Sequence, residues 1–163
     1  MQSRSQRGFT MVEVMVVVLI VGILAAIAIA NYLGSLNRAR QKKTVADIRT
    51  IGTVWEARQS EQQRYNAAGL TFPPNTMPYA QLQTLLVPTY TKTLPQLDGW
   101  GRPLQFGVNS AGGGAATEYA IRSAGGDGVF DTEYTAGMTQ DPDCDIVFEN
   151  GAFVVYPDTV QTK

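Results

Sequence analysis

The sequence predicts an α+β fold in which a long N-terminal helix packs on a small antiparallel sheet. Three observations carry that expectation. No proline precedes Pro73, so nothing interrupts a helix through the first third of the chain. Short runs of β-branched and aromatic residues crowd into the second half. Glycine, proline and asparagine separate those runs at turn-length intervals.

The helix is expected from residue 10 to about residue 63, a rod about 80 Å long at 1.5 Å per residue. Its first half contains VMVVVLIVGILAAIAIA, the 17 residues from Val14 to Ala30, without a charge or a polar side chain. With its apolar neighbours this run reaches roughly 20–25 residues, enough to span a bilayer. A buried core helix would keep a polar face, and this run has none. A cleaved secretory signal would end at small residues, as AAIAIANY does, so the other end of the run must decide between the two. The second half is amphipathic. Val45, Ile48, Gly52 and Trp55 recur at helical spacing as a core stripe, with Arg49, Glu56, Arg58 and Glu61 expected to face elsewhere.

Beyond the helix, residues 65–78 read as loop, because Gly69, Pro73, Pro74, Asn75 and Pro78 break regular structure. Residues 79–87 read as a short helix ended by Pro88, and residues 95–103 (PQLDGWGRP) as a turn. Strands are expected at 104–108, 118–123, 145–149 and 152–156. The last two flank Asn150-Gly151, a strong type I′ hairpin signal. The glycine-rich stretches at 112–114 and 125–128 lack the Lys-Ser/Thr of a phosphate loop and read as turns.

The 163 residues carry a net charge of -1, one cysteine and no histidine. Histidine bases and histidine-ligated zinc are therefore excluded, and Cys144 has no partner for an internal disulfide. No pairing of nucleophile and base is visible, which argues against an enzyme. The near-neutral total hides a segregation. Residues 1–64 hold nine bases and four acids, and residues 65–163 hold four bases and ten acids. Arg38, Arg40, Lys42 and Lys43 follow the apolar run, while residues 127–149 hold seven acids and no base.

Glu13 stands at the edge of the apolar run, where a carboxylate must snorkel to the interface or find a positive partner. The run is preceded by Arg7-Gly8-Phe9-Thr10-Met11-Val12-Glu13. This stretch resembles the processing site of type IV prepilins and type II secretion pseudopilins. The resemblance implies a leader of residues 1–8 with Arg4 and Arg7, cleavage between Gly8 and Phe9 by a prepilin peptidase, and N-methylation of Phe9 by the same enzyme. It also implies that Glu13 pairs with the Phe9 amine of a neighbouring subunit during assembly. Residues 9–33 would then be the transmembrane and polymerisation helix, residues 34–64 its amphipathic continuation, and residues 65–163 a periplasmic globular region. Charge counting opposes that orientation, because residues 34–49 hold five bases against Asp47. The resemblance implies the opposite orientation, with the globular part outside.

Within the globular region, LPQLDGWGRPLQF and YAIRSAGGDG resemble two patterns of the major pseudopilins, which sharpens the fold expectation to pilin-like. That subfamily binds calcium through an aspartate of the DG motif and two of a following D-x-D-I. The matching positions are Asp127, Asp143 and Asp145, with Ile146 completing the motif. Clustered carboxylates suit calcium, and without a cation they repel one another. An EF-hand is excluded, because Ile146 and Ala152 occupy the positions that need glycine and glutamate. Asp131, Glu133 and Asp141 lie in the same stretch and compete for the same role, and a plain solvated acidic loop is the alternative. Gly99 and Ala30 each stand where the family commonly has proline.

The resemblance implies a structural subunit that polymerises into a periplasmic pseudopilus for type II secretion, anchored by a single pass in a bacterial inner membrane. Its implied partners are further copies of itself, minor pseudopilins, the inner-membrane assembly platform and the prepilin peptidase. The alternative is a type IV pilus subunit, major or minor, for adhesion, motility or DNA uptake. No nucleic-acid partner is expected, since the basic residues sit next to the membrane run rather than on an exported surface.

Overall fold

A computed structural model describes residues 8–62, 76–109, 118–132 and 135–160. The expected leader up to residue 7, most of the expected loop at 65–78, the glycine run at 112–114 and Glu133 lie outside the described residues. The chain forms two compact units, one ending at Leu36 and the other starting at Asn37.

Helix α1 runs from Met11 to Gln62 without a break, and Ala30 lies inside it where a proline would have removed a backbone hydrogen bond. Thr10 caps its start. The Glu13 amide donates to Thr10 Oγ1 at 3.2 Å, and the Val14 amide donates to the Thr10 carbonyl at 3.3 Å. Within the first unit every apolar side chain of the run is exposed, and none of the membrane-length window is buried within the chain.

The second unit builds a core around the later part of α1. Ile48, Ile51 and Trp55 are fully buried, and Val45 nearly so. The expected stripe therefore stands, and Gly52 belongs to it for a steric reason. A Cβ at Gly52 would meet the Phe148 ring, so glycine lets that ring close on the helix. Arg58 corrects the expectation. It is buried rather than solvent-facing.

A six-stranded sheet packs against this stripe in the order β1-β2-β3-β5-β6-β4. Its strands are β1 (Thr76–Met77), β2 (Gln105–Asn109), β3 (Glu118–Ser123), β4 (Gly137–Thr139), β5 (Ile146–Glu149) and β6 (Ala152–Pro157). Helix α2 (Tyr79–Leu86) sends Leu82 and Leu86 into the core and ends before Pro88, at Val87 in extended conformation. The sheet is mixed, which corrects the expectation of a purely antiparallel one. β4 runs parallel to β6 at the edge, and the other pairs are antiparallel. β1 is a second correction, because it falls at the end of the stretch read as loop. The β5–β6 hairpin forms at Asn150 (φ 46°) and Gly151 (φ 88°), the two left-handed positions that a type I′ turn needs.

Candidate functional site

The first candidate site is the start of α1. Gly8, Phe9 and Glu13 are all exposed. Thr10 as N-cap places Glu13 in the first turn, where four backbone amides point outward and a carboxylate is favoured. Phe9 immediately precedes the cap, so a new amine at Phe9 would stand at the positive end of the helix dipole. That position is electrostatically unfavourable without a nearby carboxylate.

The second candidate is the acidic stretch that links β3 to β5, and its support begins at the turn before β2. Asp98, 1% exposed, organises that turn. Its Oδ1 accepts the Trp100 and Arg102 amides, both at 2.9 Å, and its Oδ2 accepts the Ser123 hydroxyl at 2.7 Å. The turn is tied to α1 as well. The Gly99 amide donates to Thr44 Oγ1 at 2.8 Å, and Lys43 Nζ donates to the Asp98 carbonyl at 3.3 Å. From the same turn Arg102 Nη1 donates to the Gly125 carbonyl at 2.7 Å, holding the Gly-Gly-Asp-Gly turn from below. Gly125 has φ +59°, and a Cβ there would meet the carbonyls of Asp143 and Cys144. Only glycine lets the 125–128 turn pack this closely against residues 142–144.

That packing distributes the acids unequally. Asp127 is exposed, with Oδ1 accepting the Val129 amide at 2.9 Å, and Asp143 is exposed with its carboxylate beside Gly126. Asp141 Oδ1 accepts the Asp143 amide at 3.0 Å. Asp145 is different. It is 1% exposed, its Oδ2 accepts the Asp131 amide at 3.2 Å and lies 3.6 Å from Arg122 Nη1, and its Oδ1 has no hydrogen-bond partner among the described residues. Burial pushes its pKa up to about 6, against the Asp131 amide and Arg122, while Asp131 and Asp127 add to the rise. Asp145, Asp131 and Cys144 line a cavity of about 320 Å³ beneath β4.

The structure thus brings Asp145 and Asp131 to one cavity, with Asp127 near enough to be felt, and leaves Asp143 on the turn beside it. Among the described residues, no three acidic or cysteine side chains gather tightly enough to form a ready metal group. The donor chemistry nevertheless suits a hard cation, because a buried carboxylate oxygen without a partner is the kind of group a calcium ion satisfies. Sequence reasoning missed Asp98 and Arg122. An Asp opening a Gly-Trp-Gly turn was a usable signal for Asp98. Nothing in the pattern of β3 marked Arg122 as buried.

Comparison with known proteins identifies relatives of this chain. Residues 3–29 match the family described as the prokaryotic N-terminal methylation motif, a span that includes Gly8, Phe9 and Glu13. The chain is 33% identical to the type II secretion system core protein G of Klebsiella michiganensis over 146 residues, covering 84% of this chain and 95% of that protein. The protein of the same name from Aeromonas hydrophila is 36% identical over 111 residues, covering 65% of this chain and 76% of that protein. The type IV major pilin protein PilA of Myxococcus xanthus is 42% identical over 60 residues, covering 37% of this chain and 27% of the pilin. No solved structure matches.

Proposed function

The chain belongs to the family of type II secretion system core protein G, and from that premise we propose that it is a structural, non-catalytic subunit of a periplasmic pseudopilus for protein export. The observation that carries the reading is a match over almost the whole length of a core protein G, joined to a membrane-length run with no internal cover. The pilin match extends over 60 residues and supports a shared element rather than a whole surface-pilus subunit.

In this reading a peptidase cuts between Gly8 and Phe9 and methylates the Phe9 amine. The run up to residue 33 anchors the subunit in the inner membrane and then packs against further copies and minor pseudopilins on an assembly platform. The globular part faces the periplasm. Glu13 of one subunit neutralises the Phe9 amine of the next, because an unpaired charge in the apolar bundle would be strongly disfavoured. Intact mass of the protein from cells with and without the peptidase tests this. The expected result is loss of residues 1–8 and gain of one methyl. Glu13→Ala should be cleaved normally and yield few filaments, and an uncleaved chain in peptidase-positive cells would overturn the reading.

Calcium is the proposed ligand of the acidic stretch, held by Asp127, Asp143 and Asp145, with Asp131 as the competing donor. The ion would neutralise the clustered carboxylates and brace the segment before β5. Calcium should raise the thermal midpoint of the full chain in detergent by a few degrees, and the double variant Asp127→Ala, Asp143→Ala should lose that rise. An unchanged wild-type midpoint in chelator and in millimolar calcium would remove the site.

A further inference from the structure

Arg122 is a buried charge that the secretion reading leaves without a task. It is 2% exposed, and arginine is almost never so buried unless paired. Its Nε donates at 2.6 Å to Oε1 of Gln105, its cross-strand neighbour on β2. Its Nη1 donates to the Asp131 carbonyl at 3.2 Å and lies 3.6 Å from Asp145 Oδ2. Its guanidinium carbon sits 4.2 Å from the centre of the Phe130 ring. One planar cation therefore ties the sheet to the turn at 130–131 and to the residue that opens β5. A guanidinium satisfies such a spread of acceptors and a ring face together, which a lysine ammonium does not.

We infer that Arg122 is the resident cation of the acidic segment: it clamps Phe130, Asp131 and Asp145 in their folded positions without metal. Calcium then acts as a second clamp at the free oxygen of Asp145 rather than as the condition for folding. The second half of this inference rests on the calcium reading above, and the first half does not. The positive charge beside Asp145 also opposes a divalent ion, so calcium binds this chain less tightly than it would bind the same carboxylates alone.

Cys144, the sole cysteine of the sequence, is half-buried next to Asp145 and lines the same cavity, so its thiol reports opening of the segment. The experiment is maleimide labelling of Cys144 in the full chain in detergent, with calcium or with chelator, for wild type, Arg122→Met and Arg122→Lys. Wild type should label slowly in both conditions. Arg122→Met should label about tenfold faster in chelator, because Asp145 is left buried without its cation, and calcium should slow it again. Arg122→Lys should fall between the two. If Arg122→Met labels fast and calcium does not slow it, the clamp stands and the calcium reading fails. If wild type labels fast in chelator and slowly in calcium, or if Arg122→Met in chelator is as slow as wild type, the clamp is overturned. Should Arg122→Met lose its fold altogether, Arg122→Lys decides: labelling in chelator no faster than wild type overturns the inference.

Discussion

Two stretches of one helix treat their apolar side chains in opposite ways. In the unit ending at Leu36, Leu24 is 62% exposed and its neighbours are similar. In the unit starting at Asn37, Ile48, Ile51 and Trp55 are fully buried. Both stretches are helix, so backbone propensity does not separate them. Patterning does. The later stretch confines its apolar residues to a stripe that the sheet covers, while the earlier one is apolar all round, and no single sheet can cover such a surface. Its solvent must be lipid or other helices, which is what a subunit that waits in a membrane and then polymerises requires.

The sharpest way to break this division is a matched pair of truncations. Trp55 packs on Tyr119 with ring centres 4.8 Å apart and on Phe106 at 6.5 Å. Trp55→Ala should cost about 3–5 kcal/mol of unfolding stability in the globular unit and leave cleavage by the peptidase intact. Leu24→Ala should leave the unfolding transition where it is and reduce filament yield. Denaturant titration of both variants in detergent checks this, and a comparable drop for Leu24→Ala would mean that the two stretches are not energetically separate.

A smaller effect is expected where the globular unit grips its own helix. A Cβ at Gly99 would collide with the Arg40 carbonyl, and the Gly99 amide is committed to Thr44. Gly99→Ala should cost about 1–3 kcal/mol by overpacking. Gly99→Pro, the residue the resemblance leads one to expect, should cost more, since it also removes the amide that Thr44 accepts. A Gly99→Pro variant as stable as wild type would show that this close approach to α1 is dispensable.

The parts of the fold legible in the sequence were those set by local chemistry. Absent proline, an unbroken apolar run and the amphipathic stripe after it gave the helix to within a residue or two of the ends it has among the described residues, and Asn150-Gly151 gave the hairpin. What stayed hidden depended on distant partners. β4 has three residues, one of them Gly137, and exists because β6 offers an edge to pair with in parallel. In β3, five consecutive residues from Tyr119 to Ser123 are buried, so no alternation distinguished an inward face from an outward one. Arg58 was expected to face away from the core stripe and Arg122 went unmarked, and only the assembled neighbourhood makes them interior. The candidate site divides in the same way. Gly8, Phe9 and Glu13 fall within one short stretch of sequence, whereas the acids of residues 127–145 are sorted by a glycine turn and an arginine that spacing alone does not reveal.

The subtlest expected effect concerns Asp145 and runs opposite to the usual behaviour of a paired carboxylate. Burial lifts its folded-state pKa from 3.8 to about 6, above its value in the unfolded chain. Between those values the folded state binds the proton more tightly than the unfolded state does. The contribution of Asp145 to stability is therefore greatest below pH 3.8, declines as pH rises through the window to about 6, and is level above it. The decline is at most about 1.4 kcal/mol per pH unit. The wild-type curve sums over every titrating group, so it alone does not isolate this one. The difference between wild type and Asp145→Asn does, because asparagine keeps the shape and removes the titration. Measured by urea unfolding in chelator, the advantage of wild type over Asp145→Asn should shrink as pH rises from 4 to 6 and then stay constant. Parallel curves across that window would mean that Asp145 is solvated in the working protein, and that the contrast between its buried carboxylate and the exposed Asp127 and Asp143 is not real.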